Sequence, residues 1–137
     1  MKALSVHPVF AMNFFCGKKT VECRTWSTNY RGDILICSTN KKIKGTIPGH
    51  ALCVMRLVDI VPFEKKHLEA ACMYPEEFQP GAYAWIMDNL RFVRPVPVKG
   101  HLSLWDYDGE IEIFTEDQLN EFHEDAEETN LWEHLFV

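Results

Sequence analysis

Apolar and polar residues recur along this chain with two different spacings. Six segments are rich in β-branched and aromatic residues or alternate apolar with polar positions, which predicts strands over 2–6, 20–26, 33–38, 51–63, 82–98 and 100–107. Two segments have helical spacing: 8–17, with Pro8 at the first helical position and Gly17 as the stop, and 64–73. Residues 39–50 are polar, with two glycines and a proline, and predict a loop.

The C-terminal segment predicts a further helix. Thr115 and Gln118 have the spacing of a capping box and precede apolar residues at helical intervals, so we expect a helix from about 116 to 128. Short strands with small helices between them favour an α+β fold built on a compact, curled sheet or barrel. We therefore expect one domain over 1–110 and an acidic helical extension over 111–137, packed on the domain or partly mobile.

Composition restricts the class of protein. The chain has 137 residues, 47% of them apolar and 25% charged, which is typical of a globular domain with a real core. It has no apolar run of membrane-spanning length and no signal peptide pattern, so we expect no membrane association. The five cysteines form no C-x-x-C pair, and the six histidines are scattered. This pattern predicts reduced thiols, a cytoplasmic location and no metal site.

The net charge of -6 hides a division between the body and the tail. Residues 1–100 hold all 14 Lys and Arg and eight acids, a net charge of +6, whereas the last 37 residues hold twelve acids and neither Lys nor Arg. A mildly basic body is compatible with an anionic ligand. The tail could pack on the body, which we favour, or fold over a basic cleft and compete with the ligand.

The segment "GKKTVECRTW" (17–26) places several charges on one strand. Alternation puts Glu22, Arg24 and Trp26 on one face, and Lys19 joins them only if the chain is still turning out of Gly17. One interpretation is a solvated strand, whose exposed ion pair contributes only about 0–1 kcal/mol. The other is a binding cleft, in which arginine forms a planar fork for phosphate or carboxylate.

The flanks of this segment carry a resemblance. The sequence "ALSVHPVFAMNFFCGKKTVECRTWSTNYRGDILICSTNKK" (3–42) resembles the opening of ASCH domains, which runs L-S-x-x-x-P, an apolar helix, G-x-K-x-x-E-x-R and an R-G turn. Gly17, Lys19, Glu22 and Arg24 match the central motif in full, whereas Pro8 stands one residue early. "LVDIVPF" and "YAWIMDN" with "PVPVKGHLSLW" look like the later strands. The resemblance covers residues 2 to about 107.

Membership in this family implies a PUA-like fold, a small β-barrel of about five to seven strands flanked by two or three helices. It also implies binding of RNA or a nucleotide in a single cleft beside the motif. We separately expect no cofactor or metal, and a monomer or weak dimer. Aromatic rings could stack a base there, with Trp85 or Tyr83 as candidates. The ligand-binding residues that we expect are Ser5, His7, Lys19, Glu22, Arg24, Trp26, Ser38 and Trp85.

An enzymatic activity is the alternative. One branch of the family hydrolyses N4-acetylcytidine with the motif lysine as base, a threonine three residues on as nucleophile, and an acid beyond the central strand. Lys19 matches, but Glu22 stands in the place of the threonine, and Ala71 in the place of the acid, with Glu69 two residues short. Lys19 and Glu22 remain catalytic candidates for a small hydrolase acting on an acylated nucleoside or on RNA. The sequence leaves the question of catalysis open, and binding is the favoured interpretation.

Overall fold

The computed structural model describes all 137 residues and contains six strands and three α-helices, joined by turns and two short 3-10 helices. None of the helices has both the length and the apolar character needed to cross a membrane. The elements, in chain order, are β1 (Lys2–Val6), α1 (Pro8–Phe15), β2 (Val21–Arg24), β3 (Gly32–Ser38), β4 (His50–Pro62), β5 (Tyr83–Pro97), β6 (Leu104–Asp106), α2 (Glu116–Glu128) and α3 (Leu131–Leu135).

The six strands form one mixed sheet in the order β2-β5-β4-β3-β1-β6. Only β1 and β3 pair in parallel, and every other neighbouring pair is antiparallel. No ladder joins the two edge strands, β2 and β6, so the sheet does not close into the predicted barrel. The α+β class and the number of strands agree with the expectation, whereas α1 is the only α-helix within residues 1–110.

The open sheet is nevertheless strongly curled. β4 and β5 are 13 and 15 residues long, and their pairing shifts register at three places. Such bulges bend a strand and increase its twist. As a result the Arg24 guanidinium on β2 reaches the carbonyl oxygen of Ser5 on β1, at 2.9 Å, although three strands lie between them in the sheet order. A side-chain bridge therefore joins the edge strand β2 to β1, the strand next to the opposite edge.

The main core lies between this curled sheet and α1. It contains thirteen buried residues, among them Phe14 from the helix and Trp85 from β5. The last helix, α3, contacts the same core, since Trp132, Leu135 and the following Phe136 pack against it. The N–H of Val137 also donates to the carbonyl oxygen of Thr46 in the loop between β3 and β4. Residues 132–137 thus contact the body in this structure.

The predicted helix over 64–73 is wrong. The segment forms only one 3-10 turn, Lys65–His67, followed by further turns, and Cys72 has a left-handed φ of 56°. Its hydrogen-bond register is irregular, because Leu68 bonds three residues back, Ala71 four and Met73 five, so no helical ladder forms. Ala70 accepts from the N–H groups of Thr20 and Val21, and these bonds draw the segment toward the beginning of β2. The apolar spacing that indicated a helix instead serves a turn-rich segment packed against β2.

Candidate functional site

The chain enters β2 through a turn that brings Lys19 beside Glu22. Gly17 has a φ of +77°, a left-handed conformation that glycine adopts without steric penalty, and β2 begins only at Val21. Strict strand alternation therefore does not apply to residue 19. The Lys19 Nζ lies 3.4 Å from Glu22 Oε1, so the lysine and the carboxylate share one side of the strand.

Lys19 is held inside the protein. Only 1% of the residue is exposed, and its Nζ donates to the carbonyl oxygen of Ala71 at 2.6 Å. The ring centroids of Phe10 and Phe14 lie 4.4 and 5.4 Å from the ammonium. Burial lowers the pKa of Lys19, and the nearby Glu22 carboxylate opposes that shift. The ammonium is thus committed to internal partners.

Glu22 connects this lysine to Arg24. It is 4% exposed, and its Oε2 accepts from Arg24 Nε at 3.1 Å and from Arg24 Nη2 at 2.9 Å. Its Oε1 accepts from the N–H of Cys23 at 3.3 Å. A buried carboxylate between two cations is not the exposed ion pair of a solvated strand, so that interpretation of the segment is wrong. Removing either cation would leave a buried charge undercompensated.

Arg24 keeps part of its hydrogen-bonding capacity free. Nε donates to Glu22, and Nη2 donates to both Glu22 and the carbonyl oxygen of Ser5. Nη1 makes no hydrogen bond to the protein, and the side chain is 24% exposed. A guanidinium has five N–H donors in a fixed fork, so two of them remain for a ligand. Glu22 and Ser5 fix the orientation of this fork.

Two cavities, rather than a single cleft, flank the Glu22–Arg24 pair. The first, named the Arg24 cavity, has a volume of about 490 Å³. Its lining residues are Ser5, Arg24, Ser38, Thr39, Asn40, Gly100, His101, Leu102 and Ser103. The second, named the Glu22 cavity, has a volume of about 510 Å³. Its lining residues are Phe10, Lys19, Glu22, Cys23, Met73, Glu76, Glu77, Phe78 and Gln79.

The two cavities differ in charge. The Arg24 cavity has one permanent cation and no carboxylate, and the buried Oγ of Ser5 has no hydrogen-bond partner there. The Glu22 cavity contains three carboxylates, and its only cation is Lys19, which is already bound to Ala71 and Glu22. An anionic group is therefore favoured in the Arg24 cavity and disfavoured in the Glu22 cavity.

Ser38 and His7 have mainly structural roles. Ser38 lines the Arg24 cavity, but its Oγ donates to the carbonyl oxygen of Ile47 at 2.5 Å and accepts from the N–H of His50 at 3.1 Å. His7 lines neither cavity. Its Nδ1 accepts from the N–H of Val9 at 3.2 Å and so caps the start of α1.

The aromatic residues that were expected to stack a base line neither cavity. Trp85 is fully buried, and its Nε1 donates to the carbonyl oxygen of Trp26 at 3.3 Å. The two indoles pack edge to face with centroids 4.8 Å apart. Trp85 is therefore a core residue with no free face for a base. Trp26 and Tyr83 line neither cavity.

Sequence reasoning missed the loops that complete the Arg24 cavity. Thr39 and Asn40 follow β3, and Gly100–Ser103 precede β6. β3 and β6 flank β1 in the sheet, so these loops meet at the end of β1, where Ser5 lies. Their polar and glycine-rich composition was visible, but nothing local indicated that β1 would separate β3 from β6.

The two positions at which this sequence departs from the N4-acetylcytidine-hydrolysing pattern lie beside Lys19. Glu22 stands in place of the threonine of that pattern, and Ala71 in place of its acid. Both residues contact the ammonium of Lys19, at 3.4 and 2.6 Å respectively. Their chemistry differs, because Ala71 supplies only a backbone carbonyl. Glu69 is exposed and lines neither cavity.

This architecture defines a class of protein: a small α+β domain with a curled mixed sheet and a charged site between two cavities. A family model described as "ASCH domain" matches residues 4–97, well over half of the chain. The chain therefore belongs to the ASCH domain family. No curated protein matches it.

Solved structures agree with this fold. The chain is similar to the ASCH protein from Zymomonas mobilis, with 18% identity and a TM-score of 0.61, over 90% of this chain and 93% of that one. Two point mutants of that protein give TM-scores of 0.61 and 0.59, at 18% and 16% identity, over 90% of this chain and 96% and 94% of theirs. At such low identity the likeness establishes the fold alone.

Proposed function

We propose that this chain is an RNA- or nucleotide-binding module that holds a phosphate group of its ligand in the Arg24 cavity. The observation that carries the proposal is the state of Arg24. Its fork is fixed by Glu22 and by Ser5, and its Nη1 remains without a protein partner beside a cavity that has no carboxylate. A preorganised guanidinium of this kind suits a phosphate oxygen, because little entropy is lost when the bond forms.

The surroundings of the cavity support an anionic ligand. The buried hydroxyl of Ser5 has no partner and could donate to a phosphate oxygen alongside Arg24. Three exposed lysines, Lys41, Lys42 and Lys99, adjoin the two loops that supply lining residues. Exposed lysines attract a phosphate backbone and make the affinity depend on salt. The ASCH family is, in addition, one for which RNA binding is generally proposed.

Lys19 and Glu22 have an indirect role in this proposal. Lys19 fixes Glu22 on one side, and Glu22 aligns Arg24 on the other, so the motif forms a buried chain of charges that ends in one accessible fork. Lys19 itself is not expected to contact the ligand.

The experiment is a binding measurement with the full chain and a pool of short fluorescent single-stranded RNAs, at low and at moderate salt. We expect salt-dependent binding that Arg24→Gln weakens by roughly tenfold, because a phosphate loses a charged donor pair. Arg56→Gln is the matched control, since Arg56 is exposed, pairs with Asp88 and lines neither cavity. An absence of binding to any RNA or nucleotide at low salt would contradict the proposal.

A second candidate function rests on the lowered pKa of Lys19 next to the Glu22 cavity. A buried lysine of this kind could serve as a base in a small hydrolase acting on an acylated nucleoside or on RNA. No hydroxyl side chain lines that cavity, and burial raises the pKa of its one thiol, Cys23, so water is the favoured nucleophile for a hydrolysis there. Incubation with N4-acetylcytidine tests this function, and turnover no higher than that of Lys19→Met would exclude it for that substrate.

A further inference from the structure

One apolar side chain is exposed at the mouth of the polar Arg24 cavity. Leu102 is 93% exposed and is the only hydrophobic residue among the nine that line the cavity. Isolated exposed leucines are common on protein surfaces and need no explanation by themselves. The position of Leu102 matters because the loop that carries it lies against Ser5, a candidate ligand-binding residue.

Contacts on both sides hold the loop in place. A Cβ atom on Gly100 would lie 2.6 Å from Ser5 Oγ, so the loop backbone at this point lies directly against the Ser5 side chain. Ser103 has a left-handed φ of 60°, and Leu104 then pairs with Leu4 in the sheet. Leu102 is thus presented outward between two fixed points.

His101 lies beside Leu102 and has a defined orientation. It is exposed, lines the same cavity, and packs against Trp105 with ring centroids 5.0 Å apart at an angle of 64°. The imidazole therefore offers a ring, and Leu102 an aliphatic surface, at the rim of a site whose interior suits an anion.

We propose that Leu102 and His101 form a platform for an unpaired base of the nucleotide whose phosphate is held by Arg24. This inference rests on the function proposed above and specifies its ligand class. An apolar surface beside an anion site suits a nucleotide, in which a flat base and a phosphate are joined by one sugar. In a duplex both faces of a base are stacked on its neighbours, so the platform selects a single strand or a free nucleotide.

The test compares two short fluorescent RNAs that differ only in having normal or abasic nucleotides. We expect Leu102→Ala to weaken binding of the normal strand by roughly tenfold, because the base loses apolar contact area. We expect the same variant to change binding of the abasic strand by about twofold at most, because the phosphate contacts remain. Val58→Ala is the matched control, since Val58 is an exposed apolar residue on β4 that lines neither cavity.

The outcomes separate the two proposals. Arg24→Gln should weaken binding of both strands, whereas Leu102→Ala should weaken only the strand with bases. If Leu102→Ala behaves like Val58→Ala, or weakens the two strands equally, the platform is wrong while RNA binding stands. If the unsubstituted chain binds neither strand at low salt, the proposed function is wrong and the platform with it. Tighter binding of the matching duplex than of the single strand would also overturn the platform.

Discussion

The ammonium of Lys19 donates a hydrogen bond to the carbonyl oxygen of Ala71 across 2.6 Å, in an environment where the lysine is 1% exposed. This bond ties the beginning of β2 to the turns that follow β4. It makes the motif lysine an internal support for Glu22 and leaves Arg24 as the cation that a ligand can reach.

Lys19→Ala should destabilise the fold. The substitution leaves a cavity, removes one of the two cations beside the buried Glu22 and deprives Ala71 of its donor, so we expect a loss of about 3 kcal/mol in the free energy of unfolding. Urea denaturation measures this value. Lys18→Ala is the control, because Lys18 is exposed and should change stability by about 0.5 kcal/mol at most. Equal stability of the two variants would contradict the internal role of Lys19.

The lowered pKa of Lys19 predicts a pH dependence of stability. Between that lowered pKa and the ordinary lysine value of about 10.4, the unfolded chain binds more protons than the folded one. Stability contributed by this group must therefore rise with pH across that window and level off above it. We expect the wild-type chain to gain stability relative to Lys19→Met as the pH rises toward the ordinary lysine pKa of about 10.4. A constant or falling difference in the free energy of unfolding would be incompatible with the lowered pKa.

Glu22→Gln should strengthen the binding of an anionic ligand while weakening the fold. Loss of the carboxylate charge makes the field at Arg24 more positive, and we expect roughly fivefold tighter binding of a nucleotide monophosphate, measured by calorimetry. Asp33→Asn is the control, because it neutralises the carboxylate of another paired arginine, Arg91, away from both cavities. If catalysis were the function and Glu22 activated water, the same variant would instead lose turnover.

The tail should act as a structural support and not as a competitor for the ligand. Trp132 contacts Phe122 and Phe136 and packs against the main core, and no residue of 111–137 lines either cavity. We expect Trp132→Ala to cost about 2 kcal/mol of stability, measured by thermal or urea unfolding. Glu133→Ala, an exposed neighbour, should have little effect. RNA affinity that rises when residues 131–137 are removed would instead support competition.

Local patterns predicted the local parts of the structure well. Helix α2 begins at Glu116 with the expected capping box, in which Thr115 and Gln118 bond reciprocally. These interactions span three residues and are fully encoded in the segment. The helix predicted over 64–73 does not form, and the carbonyl groups at the end of that segment accept instead from partners distant in sequence, Lys19, Thr20 and Val21.

The residue types of the candidate site were predicted, but the sequence did not show which of its charged residues are buried and which one reaches solvent. The motif indicated Lys19, Glu22 and Arg24 together, and they do form one charged chain. Which of them reaches solvent depends on Phe10 and Ala71, which cover Lys19, and on the loops that meet at Ser5. Such long-range packing is not visible in a periodic pattern. The same limit applies to Trp85, whose burial follows from its place in the curled sheet.

The location of the ligand phosphate is the central claim, and an amide-resolved NMR titration of the full chain with adenosine monophosphate tests it most directly. We predict chemical-shift changes concentrated in the loops of the Arg24 cavity, at Asn40, Gly100 and Ser103, and lost in Arg24→Gln. Changes concentrated instead at Glu77 and Gln79, in the Glu22 cavity, and retained in Arg24→Gln would contradict the account.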